Sequence, residues 1–237
     1  MRRNEIIPAA LLLAASIIIF GYLLKSAVAG LRESQRSVTV RGLSERDVDA
    51  DKVVWPLTYR IVGNYLPTLY NTMEQYNTDI IDFLTKYEIP KEDISIAIPT
   101  VTDLRADQWR NQSEVINRYN ITSAVTVSSN DVERVRKAMN AASELFRMGI
   151  AVSSAEYGAS QIQFLFTSLN DVKPEMIEEA TRNARQAAEK FADDSGSKLG
   201  KIKSATQGQF SISIPDNNTP FKQQVRVVTT IEYSLKD

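Results

Sequence analysis

Residues 53–62 read VVWPLTYRIV, and this stretch decides the fold. Apolar and aromatic residues occupy every second position, and a period of two with β-branched and aromatic side chains is typical of a half-buried strand. The inward set is Val53, Trp55, Leu57, Tyr59 and Ile61. Because Pro56 has no amide hydrogen to donate, the sequence predicts that this strand is a sheet edge or carries a bulge at that position.

The segments that follow alternate between helical and strand periods. One helix is predicted from the stripe Leu69, Met73, Tyr76, Ile80 and Leu84, and it ends at Pro90. Ile94, Ile96 and Ile98 then predict a strand, which the polar stretch 103–114 joins to a second strand at 119–127. These two strands are predicted to form a hairpin with a long loop.

The second half repeats this alternation. Asn130 is predicted to cap a helix whose stripe is Val132, Val135, Met139, Ala142 and Phe146. After a strand around residues 162–166, a third helix begins near Asp171 and has the stripe Ile177, Ala180, Ala184, Ala187 and Phe191. The last strand, 225–235, again has a period of two.

These elements predict an α+β fold, with a mainly antiparallel sheet and amphipathic helices packed on one face. The order also suggests an internal duplication. Strand 53–62, its helix and hairpin 94–127 have the same layout as strand 161–167, its helix and hairpin 202–235.

An uncharged apolar run from Ile6 to Leu24 follows Arg2 and Arg3. About 20 apolar residues span a bilayer as a helix, and basic residues before such a run tend to stay on the cytoplasmic side. We therefore expect residues 1–36 to form a membrane anchor with a tether, and residues 37–237 to form an extracytoplasmic domain. The alternative is a cleaved signal peptide, since Ala27–Ala29 supplies a small-x-small site.

The composition excludes several functional classes. The chain has no Cys and no His, which removes Ser-His and Cys-His nucleophile pairs and Cys/His zinc sites. Five of the 28 basic and two of the 29 acidic residues lie within 1–36, so the remainder has a net charge of −4. This charge argues against nucleic acid as a partner. Carboxylate, Lys or Tyr chemistry and an oxygen-ligated cation are what remain.

The long hairpin loop holds the residues most typical of an interface. Trp109 lies between Asp107 and Arg110, and aromatic residues and Arg are enriched where proteins meet. Pro56, on its predicted edge strand, leaves open that strands pair between subunits. A cation held by Asp103, Asp107 and Glu114 is the alternative use of the loop, and a solvated loop is the simplest one. No catalytic, cofactor-binding or metal-ligating residue is predicted.

Several short motifs occur in the order seen in one protein family. These are Val38–Gly42 with Val48–Asp51, Tyr87–Ile94, Ala180–Ala192 with Gly196–Ile202, and Val225–Leu235. Together they resemble the SIMPL-domain family of bacterial periplasmic or secreted proteins. The resemblance implies an α+β subunit that oligomerises, a link to envelope or oxidative stress, and no catalytic residues.

The sequence and the resemblance together predict a non-enzymatic protein of the bacterial inner membrane. A single pass would place its C-terminal domain in the periplasm, where it would assemble with itself or with envelope proteins. The alternative is a binding module for a small apolar or envelope-derived ligand, which requires a sizeable apolar pocket. A carboxylate enzyme requires converging acids with a raised pKa.

Overall fold

The computed structural model describes residues 13, 14, 16–21, 36–106, 116–153 and 161–236. The chain divides into two compact units. Unit 1 comprises Met1–Arg46, Asn170–Ser213 and Gln224–Asp237, and unit 2 comprises Asp47–Leu169 and Ile214–Gln223. The strands are β1 (Ser37–Asp49), β2 (Lys52–Gly63), β3 (Ile94–Ile96), β4 (Thr100–Asp103), β5 (Tyr119–Ser129), β6 (Val152–Ser153), β7 (Gln163–Leu165), β8 (Lys198–Gln207), β9 (Ser211–Ser213) and β10 (Lys222–Lys236). The helices are α1 (Leu66–Lys86), α2 (Val132–Asn140), α3 (Ser143–Arg147) and α4 (Leu169–Asp194).

The strands form two sheets. One has the order β1-β10-β8, with β9 also paired to β10. The other has the order β3-β5-β2-β6, with β4 paired to β5 and β7 paired to β2. The ladders of β10 with β8 and β9 are antiparallel, as are those of β2 and β5 with their neighbours. The predicted α+β class with mainly antiparallel pairing is confirmed, but two sheets replace the one expected.

The core of unit 2 lies between its sheet and three helices. The predicted inward residues of β2 are all buried, and they share one apolar cluster with buried residues of β5, α1, α2 and α3. Within this core the Tyr59 hydroxyl donates to Asn77 Oδ1 at 2.8 Å, which satisfies two polar groups that are otherwise cut off from water. Burial raises the pKa of the Tyr59 phenol. The period-two pattern therefore identified the correct face of β2.

The second predicted helix is interrupted. Asp131, not Asn130, caps α2, because its Oδ1 accepts the Arg134 amide at 2.9 Å. A turn at 141–142 separates α2 from α3 and shifts the helical register. Leu145 is consequently buried, whereas Phe146, which the prediction placed in the core, is more than half exposed.

The core of unit 1 lies between β1, β10 and the long helix α4. The inward residues of β10 are Val225, Val227, Thr229, Ile231, Tyr233 and Leu235, all buried as predicted. Helix and strand come so close at Gly42 that a Cβ there would overlap the Ala180 carbonyl oxygen and the Ala184 amide nitrogen. Side-chain contacts also join β1 to α4: Ser44 Oγ donates to Glu179 at 2.7 Å, Arg46 pairs with Glu175 at 2.8 Å, and the Asn183 amide donates to the Leu43 carbonyl at 2.8 Å.

The buried stripe of α4 differs from the predicted one. Its buried members are Met176, Ala180, Ala184, Ala188 and Ala192. Ala180 and Ala184 belong to both stripes, but Ala187 is exposed and Phe191 is 51% exposed. The close approach at Gly42 explains the difference, because small side chains must face a strand that lies this near.

The prediction for Pro56 is wrong about the strand that carries it. β2 pairs with β5 from Val53 to Gly63 without a shift in register, so it has no bulge at Pro56. On its other side β7 pairs with 52–54 and β6 with Thr58 and Tyr59, so β2 is not an edge. Neither short strand has a residue opposite Pro56. The position that lacks an amide hydrogen thus coincides with a gap in the ladder on this side of β2, so no hydrogen bond is lost there.

The two sheets have a matching layout, although not the one predicted. In unit 2 an interrupted strand, β3 and β4, pairs with β5, which pairs with β2. In the other sheet an interrupted strand, β8 and β9, pairs with β10, which pairs with β1. The counterpart of β2 is therefore β1. The strand at 161–167, predicted to be that counterpart, is β7, which has three residues and pairs with β2 itself.

Only part of the predicted anchor lies within the described residues. Leu13, Ala14 and Ser16–Gly21 are helical and exposed. In the portion of the chain that the structure describes, no helix is both long enough and apolar enough to cross a bilayer. The anchor over Ile6–Leu24 and the boundary at residue 36 stay predictions.

Asp51 holds the segment that leads into α4. Its Oδ1 accepts the Thr167 amide at 2.6 Å and the Thr167 hydroxyl at 2.9 Å, and its Oδ2 accepts the Ser168 amide at 2.8 Å. Burial raises the pKa of the Asp51 carboxyl, but these donors outweigh it, and the pKa lies below its ordinary value. The folded protein therefore favours the ionised form.

Asp51→Asn is expected to lower the free energy of unfolding at pH 7 by about 1–2 kcal/mol, since hydrogen bonds to a charged acceptor are lost. A folded pKa below the unfolded one stabilises the protein above the unfolded pKa of about 3.9, and this contribution disappears as the pH falls through the folded value. The difference between wild type and variant should thus shrink below about pH 4. Urea titrations at several pH values measure it. Asp49→Asn, an exposed neighbour, is the control.

Candidate protein-interaction edge

The predicted interface loop lies largely outside the described residues. Asp107, Trp109 and Arg110 are in the stretch 107–115, which the structure does not describe, so their interface role stays a prediction. Pro56 is described and buried. The edge argument that supported an interface role for Pro56 no longer applies.

The base of this hairpin is held by one ion pair. Arg118 donates to Asp103 Oδ2 through Nε at 3.0 Å and through Nη2 at 2.8 Å. The Arg118 guanidinium lowers the pKa of the Asp103 carboxyl through these hydrogen bonds. Because this carboxylate is already neutralised, Asp103 is a poor ligand for the cation considered above. No group of three or more Asp, Glu, His or Cys within the described ranges could hold a metal ion.

β3 and β4 form a single interrupted strand along one edge of the sheet of unit 2. Ile96 lies opposite Val125, and Thr100 lies opposite Thr122. Between these two pairs the edge strand advances by four residues, whereas β5 advances by three. One extra residue of this kind is a β-bulge. We call the strand from Ile94 to Asp103 the β3–β4 edge. The bulge changes the alternation, so that Ile96 and Val101 point to the same face as the buried Val125 and Ile121.

The β3–β4 edge is apolar and exposed. Ile96, Ile98 and Val101 are 52%, 93% and 48% exposed. The run from Ile94 to Thr102, ISIAIPTVT, has no charged residue. An exposed edge presents unpaired amide and carbonyl groups, and natural proteins usually protect it with charge, bulges or a covering element. Among the described residues, this edge has the bulge, Pro99 and the short lengths of β3 and β4, three and four residues, but no charge between Ile94 and Thr102.

Strands β1, β6, β7 and β8 are protected differently. β8 carries Lys198, Lys201 and Lys203 next to its exposed Ile202. β1 carries Arg41, Glu45 and Arg46, and its Leu43 carbonyl accepts the Asn183 side chain at 2.8 Å. At the other side of unit 2, β6 and β7 are only two and three residues long. β9, which pairs only with β10, is a second edge without charge, and its Ile212 is 41% exposed. The β3–β4 edge differs from it in the greater exposure of its aliphatic side chains, above all Ile98.

Two pockets of unit 2 offer little to a small apolar ligand. The larger, of about 390 Å³, is charged, and its cations are already paired: Lys86 with Glu144, Arg134 with Asp131 and Lys137 with Glu133. The apolar pocket beside Pro56 and Phe146 has about 160 Å³. Ligand pockets typically have about 300–1,000 Å³, so this one is small for a ligand-binding module.

The carboxyl groups of the described residues whose pKa is shifted are shifted away from proton donation near neutral pH. The Lys86 ammonium lowers the pKa of Glu144 through a hydrogen bond, as Arg118 does for Asp103. Among the described residues, every resolved shift of a carboxyl pKa is downward. A carboxyl that acts as a general acid near neutral pH needs a shift upward. The absence of enzymatic activity stays a prediction.

Comparison with known families gives a clear match. The model of a family described as SIMPL, a protein of unknown function (DUF541), matches residues 38–233. The chain belongs to the SIMPL family. The matched range includes the whole β3–β4 edge and parts of both units. It confirms the resemblance that the short motifs indicated. A search of curated proteins finds no match.

Sequence reasoning found the strand of this SIMPL domain but not its exposure. The alternation at 94–98 predicted β3, and its pairing with β5 is confirmed. The interruption of this strand at Pro99 and its continuation as β4 were not predicted. The signal that could have revealed the edge is the charge-free run ISIAIPTVT beside a polar loop.

Proposed function

We propose that this SIMPL protein is a non-enzymatic, membrane-anchored envelope protein that acts by assembling with itself or with envelope partners. The observation that carries the proposal is the β3–β4 edge, an exposed strand with no charged residue from Ile94 to Thr102. Strand addition to such an edge is a recurrent mode of recognition, in which main-chain hydrogen bonds supply affinity and alternate side chains supply specificity.

The chemistry of the β3–β4 edge favours association over solvation. Pairing would satisfy outward amide and carbonyl groups and would remove Ile96, Ile98 and Val101 from water. Burying apolar surface contributes about 25 cal/mol per Å². Three half-buried or exposed aliphatic side chains on one strand therefore offer several kcal/mol before the cost of association is subtracted.

The proposed address rests on the N-terminal sequence. The charge-free run Ile6–Leu24 behind Arg2 and Arg3 fits a single-pass anchor in the bacterial inner membrane, with the body in the periplasm. An anchor confines copies to two dimensions and raises their effective concentration, which favours weak edge contacts. A role in tolerance of envelope stress is the physiological context that we propose for this assembly.

Sedimentation of the full chain in detergent tests the proposal. We expect wild type to form a discrete oligomer at micromolar concentration and Ile98→Lys to reduce its mass, since a lysine at the edge opposes pairing. Ile98 is 93% exposed, so this change should leave the fold intact. Ile202→Lys, at an exposed isoleucine on the lysine-bearing strand β8, is the matched control and should keep the oligomer.

Three results would contradict the proposal. The first is wild-type protein that sediments as a monomer and retains no partner after gentle extraction of cells. The second is recovery of the protein in the cytosolic fraction, or protection of the body from protease added to spheroplasts. The third is turnover of a substrate by the purified chain.

A further inference from the structure

We infer that the β3–β4 edge pairs antiparallel with the same edge of a second copy, about a two-fold axis beside Ile98 and Pro99. This inference rests on the proposed function and specifies its contact: a self-complementary interface that continues one sheet through two subunits. Four features of the edge support it: its hydrogen-bonding groups, its bulge, its apolar face and its charges.

The hydrogen-bonding groups of the edge are arranged symmetrically. The Ala97 amide donates inward to Ala124, and the Leu104 amide donates inward to Arg118. Because inward and outward groups alternate along an antiparallel strand, Ile96 and Val101 direct their amide and carbonyl groups outward. If Ile96 of one copy lies opposite Val101 of the other, the two residues can exchange two main-chain hydrogen bonds. The two-fold axis repeats this pair, because Val101 of the first copy then lies opposite Ile96 of the second.

The bulge makes this symmetry workable. Ile96 and Val101 are five positions apart and would lie on opposite faces of a regular strand. The extra residue brings both to the core side of the sheet. Pro99, which cannot donate, lies next to the axis, where the two bulges meet. The ladder is therefore confined to two short segments on either side of the axis.

The apolar face of the edge also fits a second copy. Ile96 and Val101 lie beside the buried Val125 and Ile121 but remain about half exposed. In the inferred pair, each Ile96 lies next to the Val101 of the second copy. The layer of core side chains then continues across the junction without a polar group between them.

Charge complementarity selects a second copy in the antiparallel sense. The N-terminal end of the edge, Lys91–Asp93, holds one basic and two acidic residues. At the C-terminal end lie Asp103, Arg105 and Arg118, with one acidic and two basic residues. An antiparallel pair places the acidic end of each copy beside the basic end of the other, twice. A parallel pair would place like ends together.

Single cysteines provide a clean test, because the chain has none of its own. In the full chain in detergent, Ile98→Cys should give a disulfide-linked dimer under mild oxidation. The Cα atoms of the two cysteines would face each other across the axis, at a separation close to the distance of about 5.5 Å that a disulfide spans. Differently tagged Ile96→Cys and Val101→Cys chains, when mixed, should link to each other far more than either links to itself. Ile202→Cys is the control and should not link.

The outcomes separate this inference from the proposed function. Linking of Ile96→Cys chains to one another, with no mixed product, would indicate parallel pairing and overturn the inference. An oligomer without any cross-link at positions 96, 98 or 101 would place assembly on another surface, so the inference would fail while the proposed function stood. A wild-type protein that neither oligomerises nor retains a partner would contradict both.

Discussion

Gly42→Val is expected to lower the free energy of unfolding by about 3 kcal/mol or more, the upper end of the cost of overpacking a core. The groups that a side chain would meet are the Ala180 carbonyl oxygen and the Ala184 amide nitrogen. These are the two ends of one i to i−4 hydrogen bond in an α-helix. A flexible side chain could rotate away, but backbone cannot, so β1 and α4 must separate.

Amide hydrogen exchange measures the loss of packing between β1 and α4 at the helix itself. Amides in α4 between Met176 and Ala192 should lose protection in Gly42→Val, and the thermal midpoint by circular dichroism should fall. Thr39→Val is the matched control, because it introduces valine on the exposed face of the same strand. Equal protection of α4 in wild type and Gly42→Val would show that the strand and helix are not in the close contact described.

Periodicity predicted the elements whose environment is simple. β2 and β10 each have one apolar face in a core, and a period of two identified that face of both, although Pro56 and Thr58 on the other face of β2 are buried as well. Of the predicted stripe of α1, Leu69, Met73, Ile80 and Leu84 are buried, whereas Tyr76 is half-buried and the buried Phe83 was not predicted. The burial of Asn77 in this helix could not be predicted, because its side chain is stabilised by a hydrogen bond from the Tyr59 hydroxyl, which lies on a strand distant in sequence.

Features that depend on neighbours distant in sequence were not predictable in this way. Pro56 has no amide hydrogen, so it fits a position where no neighbouring strand needs that donor. A sheet edge meets this condition, and so does the gap between β6 and β7. The turn after α2 buries Leu145 in place of Phe146, a choice set by packing rather than by period. The β3–β4 edge was found as a strand, but whether a strand lies at an edge depends on the order of the sheet.

The stripe of α4 shows the same limit most clearly. Two stripes pass through Ala180 and Ala184, and the apolar bulk of Ile177 and Phe191 favoured the wrong one. Hydrophobicity alone ranks phenylalanine above alanine for burial, but where Gly42 meets Ala180 and Ala184 there is no room for a larger side chain. The residues that face a closely packed strand are therefore selected for small size.

Adjacent alanines allow a direct test of this stripe. Ala188→Leu should lower the free energy of unfolding by about 1–3 kcal/mol, because Ala188 is fully buried in the cluster that contains Ile231 and Tyr233. Ala187→Leu makes the same change one position earlier, at an exposed site, and should stay within about 0.5 kcal/mol of wild type. Helix propensity is the same for both, so urea denaturation compares packing alone. If Ala187→Leu were the more destabilising variant, the predicted stripe through Phe191 would be correct, and the alanine face would not be the one that packs on the sheet.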